Sequence, residues 1–252
     1  MEITNLGEGQ AEYVIVGSVH GDEPCGKRAI NRFIQEDYDL KKPVKFIVVN
    51  EEALEKGKRF LDSDLNRSFP GDSESESHEK RLAAKIMEEI RGKKVLDIHT
   101  TRSYPEPFAT FTELNDVTKQ ILSSSGVENA VLFPEKSGTL HEQTDGVVVE
   151  TGYQGTDDAV DNAFDLIVNF LASEGVIDAD FETSDPDVYQ YFETVDGDWN
   201  FVAENFREVL KGEVFGKREN ETLEAEEDFY PVLMSTDGYE GKLGFKARKI
   251  EK

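Results

Sequence analysis

The chain has 252 residues, of which 53 are acidic and 28 are basic, so its formal net charge is −25 at pH 7. An acidic surface repels nucleic-acid phosphates and anionic membranes, so neither is an expected partner. No apolar run approaches the roughly 20 residues that span a bilayer, and no signal-peptide pattern is present, so we expect a soluble cytoplasmic protein. High salt relieves charge repulsion of this kind, which predicts a halophilic protein. Homo-oligomerisation stays open.

Short apolar runs rich in β-forming residues alternate with helical patterns over the first two thirds of the chain. This alternation predicts an α/β fold with a mostly parallel or mixed sheet flanked by helices. The predicted strands are residues 13–17, 44–49, 95–98 and 147–149. The predicted helices are residues 24–35, 79–91, 115–123 and 157–171.

The residue composition changes after Ser173, where acidic stretches and glycines typical of turns separate short apolar segments. We therefore predict two domains. Residues 1–173 form a large α/β domain, and residues 174–252 form a smaller, mainly β domain at the C-terminus.

Polar side chains suited to metal binding follow three of the predicted strands. His20 and Glu23 follow the first strand, and His99 ends the third. Ligands gather outside the carboxyl ends of parallel strands, so these side chains are expected to meet at one edge of the sheet. Two imidazoles and one carboxylate are the ligand set of a catalytic zinc site, with water in the fourth position. Asp97 shares a strand face with His99, where it either accepts the other ring proton of His99 or belongs to a buried ion pair.

Glu150 ends the fourth predicted strand, at the same expected edge. Hydrolysis at a zinc site needs a proton shuttle as well as an activated water, and Glu150 is placed for that role.

The segment after the second predicted strand supplies positive charge to an otherwise acidic protein. It contains Arg59, Asn66 and Arg67, and the planar fork of arginine suits a carboxylate substrate. The alternative is that both arginines are solvated or pair with Asp62 and Asp64. We expect Asp64 to organise its loop rather than to take part in catalysis.

Four motifs in this order resemble the succinylglutamate desuccinylase and aspartoacylase family, a branch of the zinc carboxypeptidase-like hydrolases. They cover most of residues 13–153, and segments near Tyr230 and Tyr239 are similar to the family's closing part. The motifs are His20-Gly21-Asp22-Glu23, Asp64-Leu65-Asn66-Arg67, Asp97-Ile98-His99-Thr100-Thr101 and Glu150-Thr151-Gly152.

The resemblance implies a zinc-dependent deacylase that hydrolyses the amide bond of N-acyl amino acids, with the hydrolase domain in residues 1–173. One Zn²⁺ per chain would be held by His20, Glu23 and His99, and Glu150 would act as general acid and base on the zinc-bound water.

The resemblance also implies roles for residues that contact the substrate. Arg59 would stabilise the oxyanion, Asn66 and Arg67 would bind the substrate carboxylate, and Tyr239 would contact the substrate from the second domain.

The family's pattern is not matched everywhere. Aspartoacylases carry a further substrate-binding arginine shortly before the strand of the catalytic glutamate, whereas residues 135–146 contain Lys136 and His141 but no arginine. The resemblance therefore does not imply an aspartate-type substrate. His141 either reaches the substrate or lies in a surface loop, and we expect the surface loop. Cys25 lies near a helix start, where a thiol pKa can fall, but we expect a small packed residue.

Two other functions fit the same motifs. A carboxypeptidase-type peptidase would use the same metal ligands, although a second domain over the cleft favours small substrates. A non-catalytic zinc-binding or metabolite-binding module would keep the ligands without turnover, although the presence of Glu150 and Arg59 favours an enzyme.

Overall fold

The computed structural model describes residues 1–134, 137–238 and 240–250. The helices are α1 (Cys25–Gln35), α2 (Glu51–Glu55), α3 (His78–Ile90), α4 (Asp116–Ser125) and α5 (Asp157–Ser173). The strands are β1 (Glu2–Leu6), β2 (Tyr13–Gly17), β3 (Val44–Val48), β4 (Lys94–Thr101), β5 (Phe108–Phe111), β6 (Asn129–Leu132), β7 (Asp145–Tyr153), β8 (Asp187–Asp196), β9 (Asn200–Phe201), β10 (Val214–Arg218), β11 (Glu221–Glu224), β12 (Tyr230–Val232) and β13 (Lys242–Lys249).

Ten of these strands form one mixed sheet in the order β1-β3-β2-β4-β7-β5-β6-β8-β13-β12. Strands β3, β2, β4 and β7 are parallel neighbours, whereas β5 runs antiparallel to β7 and β1 runs antiparallel to β3. The predicted fold class, a mostly parallel or mixed sheet flanked by helices, is confirmed.

The four strands predicted from apolar runs are β2, β3, β4 and β7, which lie side by side in the sheet. Every residue of β2 is buried, since helices cover both faces of the sheet here, and such strands read as continuous apolar runs. The sequence did not indicate β1, which is half-exposed and polar, or β5, which has only four residues.

Alternate residues of the central strands build two separate cores. Ile15 packs with α1, α4 and α5 on one face of the sheet. Val14 and Val16 pack with α3 on the other. Successive side chains of a strand point to opposite faces, so one apolar strand contributes to both layers.

The C-terminal part of the chain continues the main sheet. Strand β8 pairs in parallel with β6, and β13 and β12 follow it in antiparallel pairs. A separate three-stranded sheet, β11-β10-β9, packs over its own apolar cluster around Phe215 and Phe229. The division into domains at residue 173 stays a prediction. Within the described residues, no helix has both the length and the apolar character that crossing a membrane requires.

Candidate metal centre and active site

His20, Glu23 and His99 meet at the carboxyl ends of β2 and β4. One potential ligand atom from each residue lies within 4.8 Å of the others. The Nδ1 atom of His20 is 2.9 Å from Glu23 Oε1, and the Nδ1 atom of His99 is 3.3 Å from Glu23 Oε2. All three side chains are buried. The structure thus brings together the three residues that the sequence predicted as metal ligands.

The turn that carries His20 and Glu23 depends on glycine. A Cβ atom on Gly21 would lie 2.3 Å from the backbone carbonyl carbon of Ala53, much closer than any side chain allows. The amide of Gly21 also donates to the carbonyl of Arg59 over 3.0 Å. The turn is therefore packed directly against α2 and the chain that follows it, which fixes the positions of His20 and Glu23.

The Nε2 atom of each imidazole contacts a second carboxylate, on the side of the ring opposite Glu23. Nε2 of His99 is 3.0 Å from Asp97 Oδ2, and Nε2 of His20 is 3.2 Å from Asp64 Oδ1. Both rings therefore direct Nδ1 toward Glu23 and Nε2 toward another acid, and Nε2 of His20 also lies 2.9 Å from Nη2 of Arg59. Metal-bound histidines are commonly oriented in this way, because a hydrogen bond at the outer nitrogen fixes the ring and its tautomer.

The carboxylates make this centre strongly negative. Burial raises the pKa of Glu23, but the charges and hydrogen bonds of His20 and His99 outweigh it and hold this pKa well below its usual range. Burial lowers the pKa of His99, but Asp97 and Glu23 outweigh it and hold the pKa well above the usual value. The centre consequently favours a bound cation, either protons on the imidazoles or a metal ion.

Glu150 lies beside His99 on the neighbouring strand. Strands β4 and β7 are parallel, and His99 and Glu150 are directly paired in their register. Paired residues of adjacent strands point to the same face, so both side chains reach the same cavity, which they line together. The pairing of these strands places Glu150 next to His20, Glu23 and His99, which we call the ligand group.

Arg59, Asn66 and Arg67 all line this cavity. Nη1 of Arg59 is 3.1 Å from Glu23 Oε1. The Oδ1 atom of Asn66 accepts from the amide of Leu140 over 3.0 Å, so the side-chain oxygen is held and the amide nitrogen can donate to a ligand. Tyr239, the remaining predicted contact, lies outside the described residues.

Asp64 organises the turn that carries Asn66 and Arg67, as the sequence suggested. Its carboxylate accepts from the amide of Asn66 over 2.8 Å and caps a short 3-10 turn at Leu65–Arg67. Asp64 Oδ2 also lies 3.4 Å from Arg59 Nη2. One acid therefore links the arginine, the turn and His20.

Glu79, which the sequence did not single out, holds the preceding part of this loop. Its fully buried carboxylate accepts from the amides of Leu61, Asp62 and Ser63 over 2.7, 3.0 and 3.1 Å. It also accepts from Asn50 Nδ2 over 3.3 Å. A side chain at the start of α3 thereby fixes the loop between Arg59 and Asp64.

The cavity has a volume of about 410 Å³ and opens beside the ligand group. Its wall combines the C-terminal ends of β2, β4 and β7 with residues from the C-terminal segment, among them Leu233, Lys242 and Phe245. The C-terminal segment therefore helps to enclose the site.

The family assignment follows from a match that covers more than half of the chain. Residues 10–164 match the model of the succinylglutamate desuccinylase/aspartoacylase catalytic domain. The chain belongs to this family. The family model covers β2 to β7 and therefore every residue of the ligand group, together with Glu150.

Individual members of the family are only distantly similar. An N-acyl-aromatic-L-amino acid amidohydrolase of Xenopus laevis is 31% identical over 107 residues, which cover 37% of this chain and 35% of the relative. A probable aspartoacylase of Prochlorococcus marinus is 33% identical over 96 residues, covering 35% of this chain and 32% of the relative. The chain thus spans about a third of the length of the curated relatives it matches.

A solved succinylglutamate desuccinylase/aspartoacylase from Rhodobacter sphaeroides shares the fold with a TM-score of 0.79 at 21% identity. The superposition covers 99% of this chain and 89% of that one. The likeness therefore extends beyond the family model into the C-terminal segment.

The sequence analysis placed one cavity residue wrongly and missed another. The prediction that His141 lies in a surface loop is wrong, because it is 5% exposed, sits in a 3-10 turn and lines the cavity. Arg102 also lines the cavity and was not singled out. Its position three residues after His99, at a strand end, is the signal that could have indicated it.

Cys25 is a packed residue, as expected. Its thiol is buried beneath Thr151 and donates to the carbonyl of Ala159 over 3.1 Å. Burial raises the pKa of this thiol to about 11, which keeps it protonated and unreactive at neutral pH.

Proposed function

We propose that the protein is a zinc-dependent deacylase that hydrolyses the amide bond of N-acyl amino acids. The observation that carries this proposal is the ligand group of His20, Glu23 and His99, whose potential ligand atoms lie within 4.8 Å of one another, in a cavity shared with Glu150. Membership of the desuccinylase and aspartoacylase family supports it.

The residues of the site fit a zinc ion. Two imidazoles and one carboxylate match the usual ligands of catalytic zinc, and Asp64 and Asp97 supply the acceptors that orient such imidazoles. A zinc ion held there would polarise the scissile carbonyl and lower the pKa of a water molecule.

The remaining side chains supply proton transfer and binding. Glu150 takes a proton from the attacking water and returns it to the leaving nitrogen. Arg59, next to the ligand group, stabilises the charge that develops on the carbonyl oxygen. The amide nitrogen of Asn66 and the guanidinium of Arg67 hold the carboxylate of the amino acid, and Tyr239 is proposed as a further substrate contact.

The size of the cavity supports a small substrate. A volume of about 410 Å³ lies at the lower end of the range of small-molecule sites, roughly 300 to 1,000 Å³. An N-acyl amino acid fits such a volume, which favours a deacylase over a carboxypeptidase.

The test combines metal analysis with kinetics in molar salt. The purified protein should contain about one zinc per chain and hydrolyse members of an N-acetyl, N-succinyl and longer N-acyl amino acid panel. Glu150→Ala should keep its zinc but lose activity by about 100- to 10,000-fold, because proton transfer by a positioned group contributes a factor of this order.

Glu88→Ala, which removes an exposed acid from α3, serves as the control and should behave like wild type. A Glu150→Ala variant with wild-type turnover would refute the proposed role of Glu150. A zinc-loaded wild-type protein without activity on the panel would instead favour a binding module.

A further inference from the structure

Arg102 is an exposed residue that directly follows the end of β4, three residues after His99, and lines the cavity. Its Nε atom donates to Gln154 Oε1 over 2.8 Å, and its backbone carbonyl accepts from the Ser235 hydroxyl over 2.9 Å. Both ends of the residue are therefore anchored. In the described chain, the two terminal nitrogens of the guanidinium donate to no other group.

Gln154 is itself fixed against the metal-binding turn. Its backbone amide donates to the carbonyl of Thr101 over 2.8 Å, and its Nε2 donates to the carbonyl of Asp22 over 2.7 Å. Asp22 adjoins Glu23. Gln154 thus ties the orientation of Arg102 to the turn that carries two of the ligands.

Arg102 lacks the carboxylate partner that most arginines of the described chain have. Most exposed arginines outside the cavity pair with acids, as Arg28, Arg32 and Arg248 do over 2.6 to 2.8 Å. Within the cavity Arg59 also pairs, with Glu23 and Asp64. Arg67 and Arg102 pair with no carboxylate among the described residues, although acids outnumber bases by 53 to 28. The cavity wall therefore carries two guanidinium groups, those of Arg67 and Arg102, that lie within salt-bridge distance of no described carboxylate.

We propose that Arg102, oriented by Gln154, is a specificity-determining residue that binds a second carboxylate of the substrate. This inference rests on the proposed function, in which Asn66 and Arg67 hold the first carboxylate. A guanidinium held at Nε presents its two terminal nitrogens side by side, a geometry that matches the two oxygens of a carboxylate. The second carboxylate lies either on the acyl group or on the side chain of the amino acid.

Three related substrates separate these sources. N-succinyl-L-glutamine carries the second carboxylate on the acyl group, N-acetyl-L-glutamate carries it on the side chain, and N-acetyl-L-glutamine lacks it. Wild-type protein should prefer one of the first two. Arg102→Ala should lower kcat/KM for that substrate by about 10- to 100-fold, through KM, and should change the value for N-acetyl-L-glutamine far less.

Gln154→Leu tests the positioning of Arg102. It should raise KM for the preferred substrate by about 3- to 10-fold while kcat stays close to wild type, because the guanidinium is kept but no longer oriented. Arg207→Ala, which removes an exposed arginine paired with Glu204, is the matched control and should leave all three values unchanged.

Equilibrium binding to zinc-loaded Glu150→Ala distinguishes failure of the inference from failure of the proposed function. If wild-type protein hydrolyses none of the compounds, the proposed function fails, yet tighter binding of a dicarboxylate that requires Arg102 still supports the inference. If Arg102→Ala weakens all three compounds by the same factor, or weakens none, Arg102 does not recognise a second carboxylate.

Discussion

At the scale of single residues, Asp64 and Asp97, which contact the Nε2 atoms of His20 and His99, orient the candidate ligands. The sequence left two roles open for Asp97, support of a ligand or a buried ion pair. The structure shows the contact with Nε2 of His99 at 3.0 Å, in a fully buried position. Both roles describe the same contact, since a protonated His99 makes an ion pair and a metal-bound His99 makes a hydrogen bond.

Asp97→Asn should weaken zinc binding by about 10- to 100-fold, because the partners of metal-bound histidines contribute a factor of this order. Competition with a zinc-binding dye in molar salt measures the affinity directly.

Asp165→Asn, on the exposed face of α5, provides the control for loss of an acid far from the site. Equal zinc affinity of Asp97→Asn and wild type would show that Asp97 does not act through His99.

At the scale of elements, the binding loop between β3 and α3 is ordered by acids rather than by regular structure. Asp64 caps the turn of Asn66 and Arg67. The carboxylate of Glu79 accepts hydrogen bonds from three successive backbone amides. The strand and helix that flank the loop follow from apolar periodicity. The loop conformation does not, because it depends on hydrogen bonds to a side chain 16 to 18 residues further along the chain.

Glu79→Gln should lower the free energy of unfolding by about 1 to 3 kcal/mol at neutral pH, since charge-assisted bonds to a buried carboxylate are weakened. Burial raises the pKa of Glu79, but its hydrogen bonds to Leu61, Asp62, Ser63 and Asn50 outweigh it and lower the pKa. The stabilisation is therefore complete above the ordinary carboxyl pKa and is lost as the pH falls through the lowered value.

Urea unfolding at several pH values tests this expectation. The difference between wild type and Glu79→Gln should shrink on acidification, whereas Glu88→Gln, on the exposed face of the same helix, should cost little at any pH. A difference independent of pH would mean that the charge of Glu79 does not stabilise the loop.

At the scale of the whole molecule, the sheet joins parts of the chain that looked separate in sequence. The C-terminal strands β8, β13 and β12 extend the sheet that carries the ligand group, and the intervening segments add to the cavity wall. The change in composition after Ser173 coincides with the end of α5, after which the described chain contains strands but no further helix. It does not report which strands pair, because pairing is a long-range contact.

The net charge of −25 underlies our proposal that the protein is halophilic. We expect the midpoint of thermal unfolding to rise as KCl is increased from 0.1 to 2 M, with most of the gain complete near 1 M, where the screening length is about 3 Å. Differential scanning calorimetry measures the midpoint. An equal rise in an uncharged osmolyte at the same water activity, or no rise in KCl, would argue against charge repulsion as the cause.

The fold class, the four central strands and the grouping of His20, Glu23 and His99 could all be predicted from the amino-acid sequence. These follow from local patterns, because apolar runs define buried strands and the carboxyl ends of parallel strands meet at one edge. Only the folded chain shows that His99 and Glu150 are paired in the strand register, that Glu79 holds the binding loop and that His141 lines the cavity. Strand register, backbone hydrogen bonds and cavity walls join residues distant in sequence, and no local pattern records such contacts.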